Sequence, residues 1–531
     1  MGESVARSVS GRRPNGEYRP GGSRKGSRVV ARQRRIAVLE ILALPGNWLN
    51  AQLARQYAGV FPQAIAVWCS QAGHDVIYRT YFGYGGLPDL GDPDVLFVSC
   101  SSECSALAYL VAKEMLGKLP HVTRTVIGGP HARCYPEDCA RFFHVVVDGQ
   151  CDRDAVLRLA EGDLGYCSET APAPLELPSV EERLAYIKQA SLLAGRWSLL
   201  PVVGVLSSLG CAGGCSFCTD CSNPWQPLPL DRLERDLRFI QHKLRWPALF
   251  HDPNMGRHLD VVLDVMEHVG WRTPWAFEAD LNSLSEARLK RLGKVNCWGV
   301  GIGIESWTAY GHKTGTVDKT PGEKYATVCE RLESVHKHIP AIAANMIWPG
   351  DTDYGSEPLD LTARLIEDCP FLWTPINTPV AFGRTPMYAK LQREGRVLPL
   401  PFVFQTSGYL NIVPKHYGPI ETLQSFIALV DAVSEWGRWR ARTRGQPWRV
   451  KLGDFFYKSG TSKRARRVLD TMTKYPNDMV RFHAGMDQQV PEWYWQEQDR
   501  LLGRFAGALT REELTPVPCP PQRALRQEDL H

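Results

Sequence analysis

The sequence predicts an α/β protein in which a doubly wound parallel sheet is followed by a partial (β/α)6 barrel and then by a mainly helical region. Three observations predict this class. Short apolar runs alternate with segments of helical periodicity, the alternation restarts after a proline-rich stretch, and it stops near residue 400. The corresponding limits are 1–35 for a disordered basic leader, 36–165 for the first domain, 166–195 for a linker, 196–400 for the barrel, 401–514 for the helical region and 515–531 for a tail.

The composition is that of a globular chain with several domains. Of its 531 residues, 44% are hydrophobic and 22% are charged. No segment reaches the run of about 18 apolar residues that a membrane span requires, and no apolar stretch follows the N-terminal arginines. We therefore expect no membrane span, no signal peptide and a cytoplasmic location. Fifteen cysteines scattered over such a length favour reduced thiols and a metal site over a disulfide framework.

The positive charge is concentrated at the N-terminus. Residues 1–35 contain ten Lys and Arg residues but only two acids, whereas the net charge of the whole chain is +5. The rest of the chain is therefore close to neutral and gives no general argument for nucleic-acid binding. The glycine, proline and serine content of this leader favours disorder over an RNA-binding arm.

The first domain is predicted from three buried-strand candidates, with a helical stretch over 106–116 between the second and the third. The strand candidates are 36–42, 94–99 and 124–129. In a doubly wound sheet, ligands bind outside the carboxyl ends of the strands.

The barrel is predicted from six further strand candidates with helical segments between them. Asp231 is placed as the N-cap of one helix, and Ser283 with Glu286 forms a capping-box pattern for another, which is expected to end before Gly293. The chemistry of such a barrel lies at the carboxyl ends of its strands. The strand candidates are 201–207, 247–252, 274–280, 297–305, 341–348 and 373–381.

Three cysteines follow the first barrel strand with the spacing C-x3-C-x2-C. They are Cys211, Cys215 and Cys218, on a loop that also contains Gly213 and Gly214. Three thiolates on one short loop can bind three irons of a cubane cluster and leave the fourth iron open to a ligand. A structural zinc site with Cys221 as its fourth ligand is the main alternative for this loop.

This cysteine loop resembles the signature of the radical S-adenosylmethionine (SAM) superfamily, in which an aromatic residue, here Phe217, precedes the third cysteine. The resemblance implies a [4Fe-4S] cluster whose open iron binds SAM. It also implies that one electron from the cluster cleaves SAM reductively to a 5′-deoxyadenosyl radical. An external flavodoxin- or ferredoxin-like donor would supply that electron to the cluster.

Further segments resemble the places where this superfamily contacts SAM, and each lies at the end of a predicted barrel strand. Glu278 ends the third strand. His251-Asp252-Pro253-Asn254 is similar to a "DP-N" turn, Gly303-Ile304-Glu305-Ser306 to a "GxES" segment, and Thr385-Pro386-Met387-Tyr388 to a "GTPLY" segment. The stretch from Asn345 to Thr352 is similar to a "GxPGxT" turn. The SAM-binding residues implied in this way are Phe217, Asp252, Glu278, Glu305, Asn345 and Gly350.

The first domain resembles the cobalamin-binding domain that precedes many radical SAM domains. The matching segments are around Gly73-His74, Pro93-Asp94, Gly128-Gly129-Pro130-His131 and Asp148-Gly149. The D-x-H-x-x-G motif that supplies a cobalt-ligating histidine is missing, and Gln150-Cys151 departs from the family's G-E-G-E pattern. His74 and His131 are interpreted as structural rather than as axial ligands. The cobalamin-binding residues implied by the resemblance are Ser99, Gly128, Gly129, Pro130 and His131.

Together these resemblances imply a cobalamin-dependent methyltransferase acting on an unactivated carbon, or on phosphorus, of a small molecule. A cyclase or oxidative enzyme of the same architecture is the first alternative, and a non-enzymatic zinc-binding module is the second. A tRNA-modifying methylthiotransferase is disfavoured because three further cluster cysteines and a C-terminal β-barrel are missing from the pattern.

The C-terminal aromatic residues are expected to cover the barrel mouth and to select the substrate. They are Trp436, Trp439, Phe455, Phe456 and Tyr457.

Overall fold

A computed structural model describes residues 33–48, 51–52, 58–118, 124–162, 176–193, 196–197, 201–446, 451, 454 and 460–519. The chain divides into two units, Met1–Gln33 and Arg34–His531, and every element described below belongs to the second unit. The predicted segments that lie outside the described residues are 1–32 of the leader, 166–175 and 194–195 of the linker, the end of the tail, and Phe455, Phe456 and Tyr457.

The first sheet has five parallel strands in the order β2-β1-β3-β4-β5. The chain passes from β2 on one side of β1 to β3 on the other, and this single reversal of direction is that of a doubly wound sheet, as the sequence predicts. Register between β1 and β3 pairs Ile36 with Val95 and Ile41 with Cys100, so both strands end at the same edge. The strands are Arg35–Ile41 (β1), Asp75–Tyr81 (β2), Val95–Cys100 (β3), Arg124–Gly128 (β4) and Val145–Val146 (β5).

Helices cover both faces of this sheet because alternate residues of each strand are apolar on opposite sides. Ile36 and Val38 pack with one group of helices, α1 and α5, and Ala37 and Leu39 pack with α2 on the other face. The helices are Val60–Gln71 (α1), Ser105–Lys118 (α2), Pro130–Cys134 (α3), Pro136–Cys139 (α4) and Arg153–Glu161 (α5), followed by Val180–Ala190 (α6).

The second sheet has six parallel strands in the order β15-β14-β13-β12-β11-β8, which confirms the predicted partial barrel. Consecutive strands are neighbours, as expected of βα units repeated in one direction. Two short antiparallel pairs accompany it. In chain order the strands are Leu192–Leu193 (β6), Arg196–Trp197 (β7), Val203–Val205 (β8), Ser208–Leu209 (β9), Gln226–Pro227 (β10), Ala248–Phe250 (β11), Trp275–Ala279 (β12), Cys297–Glu305 (β13), Ala341–Ile347 (β14) and Ile376–Asn377 (β15).

The barrel helices begin at other residues than the sequence predicts. Helix α7 begins at Leu230 with Pro229 at the N-cap, so the prediction of Asp231 as N-cap is wrong. Helix α9 is capped by Ser285, which accepts a hydrogen bond from the Arg288 amide. The helices are Leu230–Phe239 (α7), Leu259–His268 (α8), Glu286–Lys294 (α9), Gly311–Thr314 (α10), Pro321–His336 (α11), Glu357–Asp368 (α12) and Pro386–Arg393 (α13).

The error at α9 has a physical cause. Ser283 already belongs to a tight turn, in which its amide donates to the Asp280 carboxylate at 2.8 Å and its hydroxyl donates to the Asp280 carbonyl at 2.7 Å. The helix also continues through Gly293 to Lys294. The residue with the left-handed backbone conformation that follows the helix is Asn296, with a φ of 56°, and not Gly293. The capping box from Ser283 and the helix end before Gly293 are therefore both wrong.

The C-terminal region is helical and shares one apolar core with the barrel. Trp436 and Trp439 stack on each other with ring centroids 4.6 Å apart. Shortly after them in the chain, the Gln446 side chain accepts a hydrogen bond from the Trp298 ring and donates one to the Pro340 carbonyl. Trp298 and Pro340 lie at the amino ends of β13 and β14. The prediction that Trp436 and Trp439 cover the barrel mouth is therefore wrong. The helices are Pro419–Ser434 (α14), Trp436–Arg442 (α15), Gly460–Lys474 (α16), Pro476–His483 (α17), Glu492–Leu502 (α18) and Arg511–Leu514 (α19).

The end of the described chain returns to the first sheet. Leu502 and Leu509 are buried in the same apolar cluster as Leu107 of α2. Glu513 forms an ion pair with Lys113 at 2.7 Å, and the Val517 amide donates to the Asp138 carboxylate at 2.9 Å.

A buried carboxyl group lies in the central strand of the first sheet. Glu40 is only 4% exposed and accepts hydrogen bonds from the Gly59 amide at 2.7 Å and the Tyr78 hydroxyl at 3.2 Å. Burial raises the pKa of Glu40 to about 7, although both hydrogen bonds act in the opposite direction. The folded protein therefore holds a proton on Glu40 at pH values where the unfolded chain has lost it.

Replacing Glu40 by Gln should remove part of the pH dependence of stability. The folded pKa is raised, so wild-type stability is fully present below about pH 4.5 and falls as the pH rises through about 7, by roughly 3 kcal/mol. We expect E40Q to lack this fall when urea unfolding is measured at about pH 5 and about pH 8. The exposed substitution E181Q serves as control; an equal fall in wild type and E40Q would contradict the assignment.

Candidate active site

A cavity of about 1040 Å³ lies where the carboxyl edge of the first sheet faces the first loops of the barrel. Ser99, Gly128, Gly129 and Pro130 line it from the first sheet, as their predicted role as ligand contacts requires. Residues from the barrel and from the C-terminal region complete the wall; they include Ser208, Gly210, Asp220, Asn223, His251, Thr406, Lys463 and Arg464.

The wall at Gly129 is closed by backbone alone. Gly129 has a φ of 88°, and a Cβ atom there would lie 2.6 Å from the hydroxyl of Ser99. A side chain at this position would be strained and would also clash with β3. The turn after β4 thus brings bare backbone to the cavity.

The deep end of the cavity enters the apolar core of the first domain. Val38, Phe97, Val126, Val156 and Leu159 line it there, between the sheet and helices α1 and α5. This end suits a flat apolar group, while Glu40 is a polar side chain in the same wall.

His131 does not line the cavity. It is fully buried, lies 2.6 Å from the Tyr109 hydroxyl and 3.2 Å from the Ser102 hydroxyl, and burial lowers its pKa to about 3. His74 accepts a hydrogen bond from the Arg34 amide at 3.3 Å, at the opposite end of the sheet. Both positions agree with the interpretation of these residues as structural. His131 is also one of the implied cobalamin contacts, and of those five residues it is the one that the structure leaves out of the cavity wall.

The cysteine loop closes the antiparallel pair β9–β10. The Cys211 amide donates to the Asn223 carbonyl at 3.1 Å, and a Cβ atom at Gly210 would lie 2.1 Å from the Pro224 carbonyl. Within the loop, the Gly213 amide lies 3.3 Å from the Cys211 sulfur and the Asp220 amide 3.4 Å from the Cys218 sulfur. Amides that point at sulfur stabilise thiolates, and burial raises the pKa of Cys215 and Cys218 in the absence of a metal.

The described ranges contain no three His, Cys, Asp or Glu side chains that converge on a single ion position. The ligands of a cubane each bind a different iron, so they need not converge in this way.

Asp252 holds the strand that leads into the cysteine loop. Its carboxylate is 1% exposed and accepts hydrogen bonds from the Ser207 amide at 3.0 Å and from the hydroxyls of Ser207 and Ser208, each at 2.7 Å. Its oxygens are thus occupied by the protein, and the structure places Asp252 behind the loop.

Gly350 is likewise engaged with the protein. Its amide donates to the Asp353 carboxylate at 2.7 Å, and Asp353 also accepts from the Ser306 hydroxyl at 3.0 Å. This carboxylate therefore joins the loops that follow β13 and β14.

The inner face of the barrel is lined by small residues. Register places Ala276, Gly299 and Ala341 in one row, Glu278, Gly301 and Ala343 in the next, and Gly303 beside Asn345 in the third. Bulky branched residues fill the interior of closed barrels, so this interior leaves space beside Glu278 and Asn345. Glu278 keeps accessible surface towards that space, but surrounding protein desolvates it and raises the pKa of its carboxyl group.

A lysine that the sequence did not single out lies between the cysteine loop and the end of β13. The Lys313 amine donates to Glu305 at 2.5 Å and lies 5.6 Å from the ring centroid of Phe217. Burial alone would lower the pKa of Lys313, but Glu305 and Cys215 outweigh it and raise the pKa. Phe217 also meets the ring of Tyr310 edge-on at 5.3 Å.

The structure therefore brings Cys215, Phe217, Glu305 and Lys313 together, with Glu278 electrostatically coupled to the last two. Sequence reasoning missed Lys313 and also Arg133 and Asp220, because a cation or acid between motifs resembles any solvated residue. Only the proximity of Asp220 to Cys218 along the chain gave a signal.

No family model matches the chain, and no curated protein matches it. Solved structures resemble it in fold, including these two. One is the cobalamin-dependent SAM radical enzyme OxsB with aqua-cobalamin and SAM bound, at 13% identity and a TM-score of 0.53, covering 92% of this chain and 82% of that one. The other is the radical SAM methyltransferase TsrM from Kitasatospora setae with tryptophan and a SAM analogue bound, at 10% identity and a TM-score of 0.51, covering 83% and 100%.

The chain has the fold of the cobalamin-dependent radical SAM enzymes. In this structure the cysteine loop meets the cavity wall where the first sheet faces the barrel. Among the described helices none is long and apolar enough to cross a membrane.

Replacing Asp252 by Ala should destabilise the protein by about 2–4 kcal/mol, because the Ser207 amide and two hydroxyls lose their acceptor inside the core. Urea unfolding would measure this loss. The control is D231A, since Asp231 is a largely exposed acid in the first turn of α7. Equal stability of the two variants would show that Asp252 does not hold the strand.

Proposed function

We propose that the protein is a radical SAM enzyme that binds a [4Fe-4S] cluster, SAM and cobalamin, and that it methylates an unactivated carbon, or phosphorus, of a small molecule. The observation that carries the proposal is the position of the cysteine loop, whose residues Thr219, Asp220 and Asn223 form part of the wall of the cavity. Two cofactor sites that share a wall suit a reaction that uses both.

The donor set at the cysteine loop fits a cluster. Cys211, Cys215 and Cys218 offer three thiols, amides of the loop point at two of the sulfurs, and the Lys313 amine adds positive charge nearby. When bound, the cluster and cobalamin supply the electron that cleaves SAM and the carrier of its methyl group. The chain supplies the binding sites and excludes water from them.

The interior of the barrel is proposed to hold SAM. Phe217 belongs to the cysteine loop and Glu305 lies beside it, and Glu278 and Asn345 face the space that the glycine and alanine rows leave open. Lys313 can pair with a carboxylate, and Glu278 can accept hydrogen bonds from an amine or a hydroxyl. Asp252 and Gly350 contribute by holding the loops, since their polar atoms are bonded to protein.

The cavity is proposed to hold cobalamin. Its volume, the bare backbone at Gly129 and its apolar deep end fit a large flat ligand with an apolar extension. The OxsB structure, which shares the fold, is described as having aqua-cobalamin bound. A cobalt-ligating histidine is not part of the proposal, because His131 points into the protein core.

An external flavodoxin- or ferredoxin-like donor and a cytoplasmic location remain part of the proposal. The predicted domain limits also remain part of the proposal. The described strands show which residues each sheet spans, but not where one domain ends and the next begins. Transfer of a methyl group distinguishes the proposal from cyclisation or oxidation by the same architecture.

The cluster is tested by replacing Cys215 with Ala. After anaerobic reconstitution with iron and sulfide, wild type should contain about four irons and form 5′-deoxyadenosine from SAM with reductant, and C215A should lose both. The matched control is C221A, which should keep both. Zinc in wild type that is lost in C215A and in C221A alike, without cleavage of SAM, would indicate a four-cysteine structural site instead.

The cobalamin site is tested by replacing Gly128 with Leu. A Cβ atom at Gly128 has room, with Val147 at 3.7 Å, and the added side chain would extend into the cavity. We expect G128L to bind hydroxocobalamin at least about tenfold more weakly, by absorbance titration, while it keeps its iron. G117L, on the exposed surface of α2, should bind like wild type. Unchanged binding by G128L would place cobalamin elsewhere or exclude it.

A further inference from the structure

One arginine connects the cavity to the cysteine loop. Arg133 lies on α3, directly after the turn at Gly129, and lines the cavity. Its side chain crosses to the barrel, where Nη1 donates to the Asp220 carboxylate at 2.6 Å and to the Thr219 carbonyl at 3.4 Å.

Asp220 transmits this contact to the cysteines. Its amide points at the Cys218 sulfur at 3.4 Å, and its carboxylate also accepts a hydrogen bond from the Asn223 side chain at 2.6 Å. The Asn223 carbonyl in turn accepts from the Cys211 amide at 3.1 Å. The ion pair is therefore joined to two of the three proposed cluster ligands through hydrogen bonds and through Asp220 and Asn223 themselves.

The guanidinium of Arg133 has hydrogen-bonding capacity left over. Of its three nitrogens only Nη1 donates to the described part of the chain, and the side chain keeps 22% of its surface accessible in the cavity wall. Nε has no accessible surface, so Nη2 is the donor that a ligand can reach. An oxygen atom of the ligand can therefore accept a hydrogen bond from Nη2.

We propose that Arg133 is shared between two sites, so that it donates from Nη2 to a carbonyl oxygen of the ligand in the cavity while Nη1 holds Asp220 beside the cluster. For cobalamin, the acceptor is one of the amide side chains at the rim of the corrin ring. The inference rests on the proposed function in that the ligand is cobalamin. Because coupling between binding events is reciprocal, cobalamin should change the reduction potential of the cluster, and reduction should change the affinity for cobalamin.

The experiment measures both sites in the reconstituted protein. The dissociation constant for hydroxocobalamin comes from absorbance titration, and the reduction potential of the cluster from a redox titration followed by electron paramagnetic resonance, with and without cobalamin. The variants are R133Q, R133K and D220N. The matched control is R384Q, because Arg384 also joins the two sheets by ion pairs, to Asp148 and Glu137, but does not line the cavity.

The variants should change the two sites in different ways. R133Q should weaken cobalamin binding by about tenfold or more, as expected when one charged hydrogen bond is lost, and should lower the potential because Asp220 keeps an unpaired negative charge. D220N should raise the potential because it leaves the guanidinium unpaired. R133K should keep the wild-type potential but bind cobalamin as weakly as R133Q, since an ammonium group lacks the second donor direction.

Cobalamin should shift the potential in wild type and R384Q but not in R133Q. Equal cobalamin affinity in wild type and R133Q, or potential shifts of the same sign in R133Q and D220N, would overturn this inference and leave the proposed function intact. Failure of wild type itself to bind cobalamin would overturn both.

Discussion

The arrangement depends on the ion pairs that hold two parallel sheets against each other with their carboxyl edges facing. Arg384, in the loop after β15, reaches Asp148 at 2.6 Å and Glu137 at 3.0 Å, while Arg133 reaches in the opposite direction to Asp220. Each arginine is partly shielded from water, which makes a charged hydrogen bond worth more than on an open surface. The Arg133 pair lies in the cavity wall itself, whereas the Arg384 pairs lie outside it and add only to the contact between the sheets.

The same edge-to-edge packing explains why backbone, rather than side chains, forms so much of the site. Gly129 and Gly210 have positive φ angles at points where a Cβ atom would collide with β3 or with the Pro224 carbonyl. Inside the barrel, Gly299 of β13 lies in register with alanines of β12 and β14, and Gly301 and Gly303 lie beside Glu278 and Asn345. The helices outside supply the apolar packing instead, so the interior can remain open without a loss of core volume.

Much of the fold follows from the sequence because buried strands are continuous apolar runs. The candidates 36–42, 94–99 and 297–305 match β1, β3 and β13 closely. Strand β2 was missed because Asp75, Arg79 and Thr80 interrupt its apolar pattern at the edge of the sheet, and β5 and β15 are two residues each. The candidate 373–381 was therefore far too long.

The candidate site was predictable where a chemical pattern is local. The cysteine spacing and the turn at Gly128 and Gly129 are of this kind. The pairs of Lys313 with Glu305 and Phe217, and of Arg133 with Asp220, join separate segments of the chain, and a single sequence does not show which segments meet. The interior role of Asp252 was missed for a related reason: a carboxylate at a strand end can face a ligand or its own neighbouring strand, and only the positions of Ser207 and Ser208 decide between them.

The return of the chain to the first sheet has a consequence for its synthesis. Leu502 and Leu509 complete an apolar cluster whose other members include Tyr81, Leu96 and Leu107. The ribosome makes those earlier residues about 400 positions before the leucines that cover them. The first sheet therefore leaves the ribosome with one apolar face incomplete. It must wait through the translation of the whole barrel for its last contacts, and during that time it is a surface to which chaperones can bind.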